Sequence, residues 1–220
     1  MPANSKRPAV AGEAAKRGGV FALGVALMAL GLAGCTHLPR ARLPACSLAP
    51  APAIKVAADG GSATTTLDVL TYNIEGLPWP ARASRAKQLA EIGRILSELQ
   101  GVGQAPDIVL FQEMFSGAAV RAVDQSGYAA LVAGPGRTQK GPEATGRLPL
   151  RAKPLKGEIG IRLMTSGLAI ASRFPIVTSH SEPYARLSCA GFDCLANKGV
   201  LAARVVIPGV PSPVDLLNTH

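Results

Sequence analysis

Residues 107–113 read Asp107-Ile-Val-Leu-Phe-Gln-Glu113, a short apolar run that ends in an amide and a carboxylate. Its length and apolar content predict a single buried strand, and the polar side chains that follow are expected at the edge of a sheet. Upstream, Leu67 to Tyr72 predict a second strand, which leads into Asn73. Between the two strands, residues 82–100 predict an amphipathic helix, because large apolar residues recur there at helical spacing: Leu89, Ile92, Leu96 and Leu99.

The rest of the chain predicts one more helix, a long loop and a series of strands. Ser116 is a candidate N-cap for a shorter helix that runs to Gln125. Residues 134–158 are rich in glycine, proline and arginine and predict a long excursion. Strand patterns lie at residues 167–172, 176–181, 200–207 and 214–218. Strand–helix–strand–helix followed by further strands is typical of an α/β layered sandwich.

The chain is basic, with a formal net charge of +9. Part of the excess lies in residues 137–156, which hold six basic residues and one acidic residue. A solvated loop is the simplest interpretation of that segment. The overall charge favours anionic partners, such as phosphodiesters or lipid headgroups, without choosing between them.

The N-terminus predicts export and a lipid anchor. Four basic residues precede an apolar run from Gly19 to Leu30, which is too short to span a bilayer. The run leads to Leu32-Ala-Gly-Cys35, which resembles the bacterial lipobox, whose cysteine is lipidated. An ordinary secretory signal with an incidental cysteine, or a stop-transfer helix, is the alternative. We therefore predict a lipoprotein signal peptide at 1–35 and a flexible Ala/Pro-rich tether at 36–66. The folded domain is predicted at 67–220, and the protein is expected at the outer membrane, facing the periplasm or displayed at the surface.

Two of the remaining cysteines are candidates for a disulfide. Cys189 and Cys194 lie close together in the sequence, and an exported compartment permits disulfides. A bridge between them would hold the loop that carries Asp193, whereas the alternative is two free thiols in a turn. Cys46 is left over in the predicted tether.

The chain resembles a known family in five short motifs that occur in one fixed order. They are Leu70-Thr-Tyr-Asn-Ile-Glu-Gly-Leu-Pro78, residues 107–113, Gly167-Leu-Ala-Ile-Ala-Ser-Arg-Phe-Pro-Ile176, Phe192-Asp-Cys-Leu-Ala-Asn-Lys-Gly199 and Val214-Asp-Leu-Leu-Asn-Thr-His220. Together they resemble the first half of the endonuclease/exonuclease/phosphatase (deoxyribonuclease-I-like) superfamily, and within it the neutral-sphingomyelinase branch. The resemblance implies a four-layer α/β sandwich, two packed sheets with helices outside, whose C-terminal half is missing here. The inner faces of the strands present are then expected to lie bare.

The resemblance also implies a metal-dependent phosphodiesterase that uses Mg2+. Glu113 matches the family's metal-binding glutamate, and Asn73 matches the asparagine that helps to position metal and phosphate. Oxygen ligands of this kind suit Mg2+. On their own, a glutamate after a strand is more often a solvated strand end, and an asparagine there is more often a turn former.

Four further residues are implied as catalytic. Asp193 and Lys198 resemble the pair by which the sphingomyelinase branch handles phosphate, although an ordinary surface salt bridge is the alternative. Asn218 and His220 match the family's Asn-Thr-His strand end, whose histidine stabilises charge on the phosphate.

The family's Gly-Asp-x-Asn and Ser-Asp-His motifs are absent from the sequence, so this chain is expected to be inactive or nearly so. A phospholipid is favoured over nucleic acid as the substrate, because Trp79, three tyrosines and five phenylalanines form no aromatic stripe. The alternatives are a nuclease of the same fold and a non-catalytic outer-membrane binding lipoprotein. The sequence implies no protein partner.

Overall fold

The computed structural model describes residues 37–47, 49–78, 81–143, 145, 153–185 and 188–220. The predicted signal peptide, Cys35 and Trp79 lie outside these residues. The strands are β1 (Lys55–Val56), β2 (Ala63–Thr64), β3 (Val69–Asn73), β4 (Ile108–Gln112), β5 (Ala130–Ala133), β6 (Ala169–Ser172), β7 (Ile176–Pro183), β8 (Gly199–Val205) and β9 (Val214–Thr219). The helices are α1 (Arg85–Gly101) and α2 (Gly117–Asp124), with 3-10 turns at Pro154–Lys156 and Gly191–Leu195. No helix of the described residues is long and apolar enough to cross a lipid bilayer.

The strand predicted at residues 107–112 lies inside a four-stranded mixed sheet with the order β3-β4-β6-β5. Strands β3 and β4 are parallel, as a helical crossover between them requires, whereas β6 is antiparallel to both β4 and β5. A second, antiparallel sheet has the order β7-β8-β9, and β1 with β2 forms a separate hairpin. The strand and helix patterns seen in the sequence are thus confirmed, with boundaries that shift by three residues or fewer.

Helices α1 and α2 cover one face of the four-stranded sheet. Leu89 and Leu96 of α1 pack with Phe111 of β4 and Val123 of α2 in one buried cluster. The side chain of Ser116 caps α2, because its hydroxyl oxygen accepts a hydrogen bond from the N–H of Ala119 at 3.3 Å. The predicted N-cap of the shorter helix is therefore confirmed.

The two helices approach each other most closely at Gly93. A Cβ atom at this position would lie only 2.7 Å from the carbonyl oxygen of Ala122 in α2. Glycine in the middle of a helix ordinarily destabilises it by about 1 kcal/mol relative to alanine. The absence of a side chain here allows the two helix backbones to pack against each other.

Replacing Gly93 by alanine is therefore expected to destabilise the protein, although alanine is the better helix former. Overpacking of this kind costs about 1–3 kcal/mol of unfolding free energy, which urea denaturation measures. Gly101 provides the matched control, because it ends the same helix and a Cβ atom there would have no neighbour within 4 Å. Gly101→Ala should leave stability unchanged or raise it slightly, and a stabilising Gly93→Ala would contradict the close helix contact.

The second core lies between the two sheets. Ile108, Ile170 and Phe174 from the first sheet and its following turn pack with Leu201 and Val205 of β8, and all five are fully buried. The expectation that the inner faces of the strands lie bare is therefore wrong for the residues of this cluster. The physical reason is that the strands present supply both sheets, so the two inner faces cover each other. Val69 on the edge strand β3 remains half exposed.

The described residues form three layers, with helices on one side only. The outer face of the β7-β8-β9 sheet carries no helix among these residues, and Leu217 on that face is 70% exposed. The α/β class and the packed pair of sheets agree with the predicted architecture. The fourth layer of the predicted sandwich is not part of the described structure.

Part of the segment predicted as a tether is attached to the domain. Arg42 exchanges two backbone hydrogen bonds with Leu131 of β5, at 2.8 and 2.9 Å. Its guanidinium also lies 3.3 Å from the carboxylate of Asp124. Strand β5 is at the edge of its sheet and offers unpaired backbone groups, which Arg42 satisfies. This contact corrects the prediction of a free tether around Arg42.

Candidate functional site

Five of the six predicted site residues converge at one end of the two sheets, because the strand directions bring them there. Asn73 ends β3 and Glu113 follows β4, and these strands are parallel, so their carboxyl ends meet. His220 follows β9 and Lys198 precedes β8. Strands β8 and β9 are antiparallel, with Val200 opposite Thr219, so the end of one lies beside the start of the other. Asp193 comes from the 3-10 turn just before Lys198.

Glu113 has an unusual backbone conformation. Its φ angle is +58°, in the left-handed region that costs a residue with a Cβ atom about 1 kcal/mol. The conformation is held by its neighbours: the carbonyl oxygen of Glu113 accepts hydrogen bonds from the N–H groups of Gly76 and Phe115 at 3.0 and 2.9 Å, and the N–H of Met114 donates to Gly167. Strain of this kind that the surrounding structure maintains is common at functional sites.

His220 is the centre of the cluster. Its Nδ1 lies 2.9 Å from Nζ of Lys198. Its Nε2 lies 3.7 Å from Oε1 of Glu113 and 3.4 Å from Nδ2 of Asn73. A lysine ammonium can only donate hydrogen bonds, so the 2.9 Å contact makes Nδ1 of His220 the acceptor and places the ring hydrogen on Nε2. The 3.4 Å contact between Nε2 and the amide nitrogen of Asn73 then joins two donors and is not a hydrogen bond. The imidazole therefore presents an N–H group toward Glu113 and the space beside it.

Lys198 is buried although it carries a charge. It is 8% exposed, and its ammonium lies 3.6 Å from Oδ1 of Asp193 and 5.5 Å from the centre of the Phe115 ring. Buried lysines are rare unless they are paired, and here the carboxylate, the imidazole and the aromatic face supply the partners. The interpretation of Asp193 and Lys198 as an ordinary surface salt bridge does not fit this burial.

A disulfide connects Cys189 and Cys194 on either side of Asp193, as predicted, with a Cα–Cα distance of 5.2 Å. It closes the loop that carries Asp193, whose own side chain is 72% exposed. Cys46 is a free, exposed cysteine.

Asn218 is placed differently from the prediction. Its side chain is buried beneath the cluster, where Nδ2 donates to the carbonyl oxygens of Phe111 and Ala169 at 2.9 and 3.0 Å. Its Oδ1 accepts a hydrogen bond from Nε2 of Gln112 at 2.8 Å. Every polar atom of the amide is thus occupied by the protein. The structure corrects the catalytic role predicted for Asn218 to that of a positioning residue, which holds β9 against the other sheet.

Three residues support the cluster: Gln112, which stands beside Glu113 in its motif, and Phe115 and Asn197, which sequence reasoning missed. Gln112 also donates to the hydroxyl of Thr71 at 3.0 Å, which links β4 to β3. Phe115 supplies the ring beside Lys198. Asn197 is fully buried and donates to the carbonyl oxygens of Gly136 and Gln139 at 2.5 and 2.9 Å, so it fixes the backbone next to Lys198. Gln112 and Asn197 lie inside the quoted motifs, and their position beside a site residue was the available signal.

Glu113 and Asn73 could supply some of the ligands of a divalent cation. The side chain of Glu113 is only 20% exposed, and the side chain that faces its carboxylate is the neutral imidazole of His220, at 3.7 Å. A carboxylate that is largely buried and short of hydrogen-bond donors favours a cation beside it. The described residues contain no group of three His, Cys, Asp or Glu side chains that could hold a metal. Mg2+ requires no such group, since it is often bound by one or two protein oxygens, with water and phosphate as the other ligands.

Comparisons with known proteins identify the family of the chain. Residues 70–213 match the model of the endonuclease/exonuclease/phosphatase family, a span that includes Asn73, Glu113, Asp193 and Lys198. No curated protein matches the chain.

Solved structures with a similar fold include a beta toxin from Staphylococcus aureus with bound magnesium ions, with 19% identity over 71% of this chain and 49% of that chain and a TM-score of 0.49. Sphingomyelinase C from Streptomyces griseocarneus is 22% identical over 71% of this chain and 49% of that chain, with a TM-score of 0.48. An endonuclease/exonuclease/phosphatase from Beutenbergia cavernae gives 17% identity, 70% and 38% coverage and a TM-score of 0.38. The chain spans about half the length of the first two of these proteins. The family match covers most of the chain, and the protein belongs to the endonuclease/exonuclease/phosphatase family.

Proposed function

We propose that the protein is a Mg2+-dependent phosphodiester hydrolase that acts on a phospholipid of the sphingomyelin type. The observation that carries this proposal is the buried ammonium of Lys198, held between Asp193 and His220 beside a largely buried Glu113. A cation fixed in this way is suited to an anionic oxygen, because its position requires no rearrangement when charge develops. The family match supports phosphodiester chemistry at this position in the fold.

In this proposal Glu113 and Asn73 would hold the metal, which supplies charge neutralisation at the phosphate. Lys198 donates from Nζ to a phosphate oxygen, and His220 donates from Nε2–H to another. Asp193 keeps the ammonium oriented. Without the metal, the charges of Glu113, Asp193 and Lys198 sum to −1, which repels a phosphodiester, and a divalent cation reverses that sign.

The preference for phospholipid rests on two observations. Asp193 and Lys198 resemble the pair of the sphingomyelinase branch, and the structure places them in contact. The N-terminal leader and lipobox support attachment of the protein to the outer membrane by a lipid on Cys35. We further propose that residues 1–220 alone turn over slowly. Within the described residues, His220 is the only histidine of the cluster, and both its ring nitrogens already face protein groups.

The test is the hydrolysis of sphingomyelin and of plasmid DNA, with Mg2+ and with a chelator, by this chain and by the protein in its longest natural form. The proposal expects chelator-sensitive cleavage that prefers lipid, with the longer form faster. Preferential cleavage of DNA would assign a nuclease of the same fold. Absence of metal-dependent cleavage by either form would leave a non-catalytic binding lipoprotein.

Replacing Lys198 by alanine is expected to lower the rate of this hydrolysis by about 10²–10³-fold, as the loss of one preorganised donor at a developing oxyanion does. Initial rates at saturating lipid measure the effect. Lys87→Ala is the matched control, because Lys87 is an exposed lysine on α1, and its rate should equal that of the unaltered protein. An equal loss of hydrolysis rate in both variants would show that Lys198 has no specific role in the reaction.

A further inference from the structure

Two neighbouring loops expose large apolar side chains beside the candidate site. Leu155 is 98% exposed and Phe192 is 68% exposed, and Ile159 and Ile161 are about half exposed. Single exposed apolar residues are common on protein surfaces, but several within one pair of adjoining loops indicate an interaction site. We call residues 153–161 together with Gly191 and Phe192 the apolar rim.

The apolar rim is held as one surface by contacts between its two loops. The carboxylate of Glu158 accepts hydrogen bonds from the N–H groups of Gly191, at 2.9 Å, and Lys153, at 2.5 Å. These backbone donors, Gly191 first, hold the pKa of the Glu158 carboxyl below its usual value. Gly157 has a φ of +88°, and a Cβ atom there would lie 3.1 Å from the Phe192 ring, so glycine allows the loops to meet.

The rim adjoins the site through the backbone. Phe192 directly precedes Asp193, whose carboxylate pairs with Lys198. The disulfide between Cys189 and Cys194 closes the turn that carries both Phe192 and Asp193. Whatever binds to the rim is therefore brought beside the proposed phosphate-binding group.

We propose that the apolar rim docks onto a lipid bilayer and thereby presents headgroups to the site. Leu155 lies between Lys153 and Lys156, which are both exposed. Apolar side chains flanked by lysines suit the interface of a bilayer, where the apolar part enters the acyl boundary and the ammonium groups stay at the phosphates. A protein partner would also accept Leu155 and Phe192, but the flanking cations match a surface of phosphates. The role of docking in presenting headgroups to the site rests on the proposed function, but the docking itself is tested without measuring hydrolysis.

The experiment places a fluorescent reporter on the rim of the full chain. Trp79, the single tryptophan, is replaced by phenylalanine, and tryptophan is introduced by F192W in one variant and by L217W in another. Position 217 is the matched control, because it is as exposed as position 192 but lies on the outer face of the β7-β8-β9 sheet, outside the apolar rim. Both variants are mixed with vesicles of phosphatidylcholine and phosphatidylglycerol whose acyl chains carry bromine.

We expect quenching of the F192W variant to exceed that of the L217W variant by about threefold or more, since an interfacial surface enters roughly 5–10 Å into the headgroup and acyl boundary. Adding Leu155→Ser to the F192W variant should reduce its quenching, whereas adding Leu217→Ser should not. Equal quenching at the two positions, or none at 192 while the protein sediments with the vesicles, would overturn the proposal and point to a protein partner. Selective quenching, together with no metal-dependent hydrolysis of sphingomyelin by the longest natural form of the protein, would keep the docking surface and reject the proposed hydrolase. Hydrolysis of lipid without selective quenching would keep the proposed hydrolase and reject the docking surface.

Discussion

Replacing Glu113 by glutamine is expected to abolish the response of the protein to Mg2+. The glutamine keeps the shape of the side chain and removes the carboxylate that faces His220. In the longest natural form of the protein, the Mg2+-dependent hydrolysis should fall by at least about 10²-fold, because the charge stabilisation supplied by a bound cation is worth several kcal/mol. Addition of Mg2+ should also cease to raise the thermal unfolding temperature, since a ligand stabilises only the protein that binds it.

Glu75→Gln is the matched control for this prediction. Glu75 lies two residues after Asn73 and is partly exposed, and its carboxylate pairs with Arg82 rather than with the cluster. The same chemical change at Glu75 should leave both the hydrolysis rate and the Mg2+ response intact. If Glu113→Gln retains a Mg2+-dependent rise in unfolding temperature, then Glu113 does not hold the metal, whatever its effect on the rate.

The sequence predicted those parts of the fold that local periodicity determines. The strand predicted at 107–112, the helix predicted at 82–100 and the disulfide between Cys189 and Cys194 are all present in the structure, the first two as Ile108–Gln112 and Arg85–Gly101. Each depends on residues close together in the chain, so its pattern is visible without knowledge of the tertiary structure. Glu113 and Asn73 were predicted as site residues because they match the motifs of the family, since their position at strand ends alone does not distinguish them from solvated or turn-forming residues.

The arrangement of the two sheets was not predictable in this way. Which strands join which sheet depends on pairings between distant residues, and no single-sequence pattern encodes them. The expectation of bare inner faces was wrong because β7, β8 and β9 form a second sheet that covers the first. Arg42 in the predicted tether likewise contacts β5 through backbone groups, which carry no residue-specific signal.

The buried position of Asn218 could not be predicted from the sequence pattern of β9. Val214, Leu216 and Asn218 face the other sheet, while Asp215 and Thr219 face outward. Leu217 is apolar but lies on the outward face, so the alternation in β9 is broken and the inward face cannot be identified from the sequence. Asn218 was assigned with His220 to the reacting centre from the Asn-Thr-His motif, and the pattern of β9 gave no signal that the structure buries its side chain.

Replacing Asn218 by leucine is consequently expected to be the most destabilising of these changes. Leucine has a similar volume, but it leaves the carbonyl oxygens of Phe111 and Ala169 without the amide that donates to them. Each buried polar group left unpaired costs about 1–3 kcal/mol, so the free energy of unfolding should fall by about 2–5 kcal/mol. For a chain of this size that loss lowers the unfolding temperature by roughly 10 °C, which calorimetry or circular dichroism measures.

Asn73→Leu makes the same chemical change at an exposed position, where the amide bonds only to an exposed backbone N–H and faces His220. Water replaces those partners, so we expect its unfolding free energy to stay within about 0.5 kcal/mol of the unaltered protein. The comparison separates the two asparagines by role, since Asn73→Leu should impair Mg2+ binding without loss of stability. Asn218→Leu should instead lower the free energy of unfolding. A loss below about 1 kcal/mol for Asn218→Leu, within the range of one ordinary hydrogen bond, would show that the amide does not hold the two sheets together and would return Asn218 to the catalytic candidates.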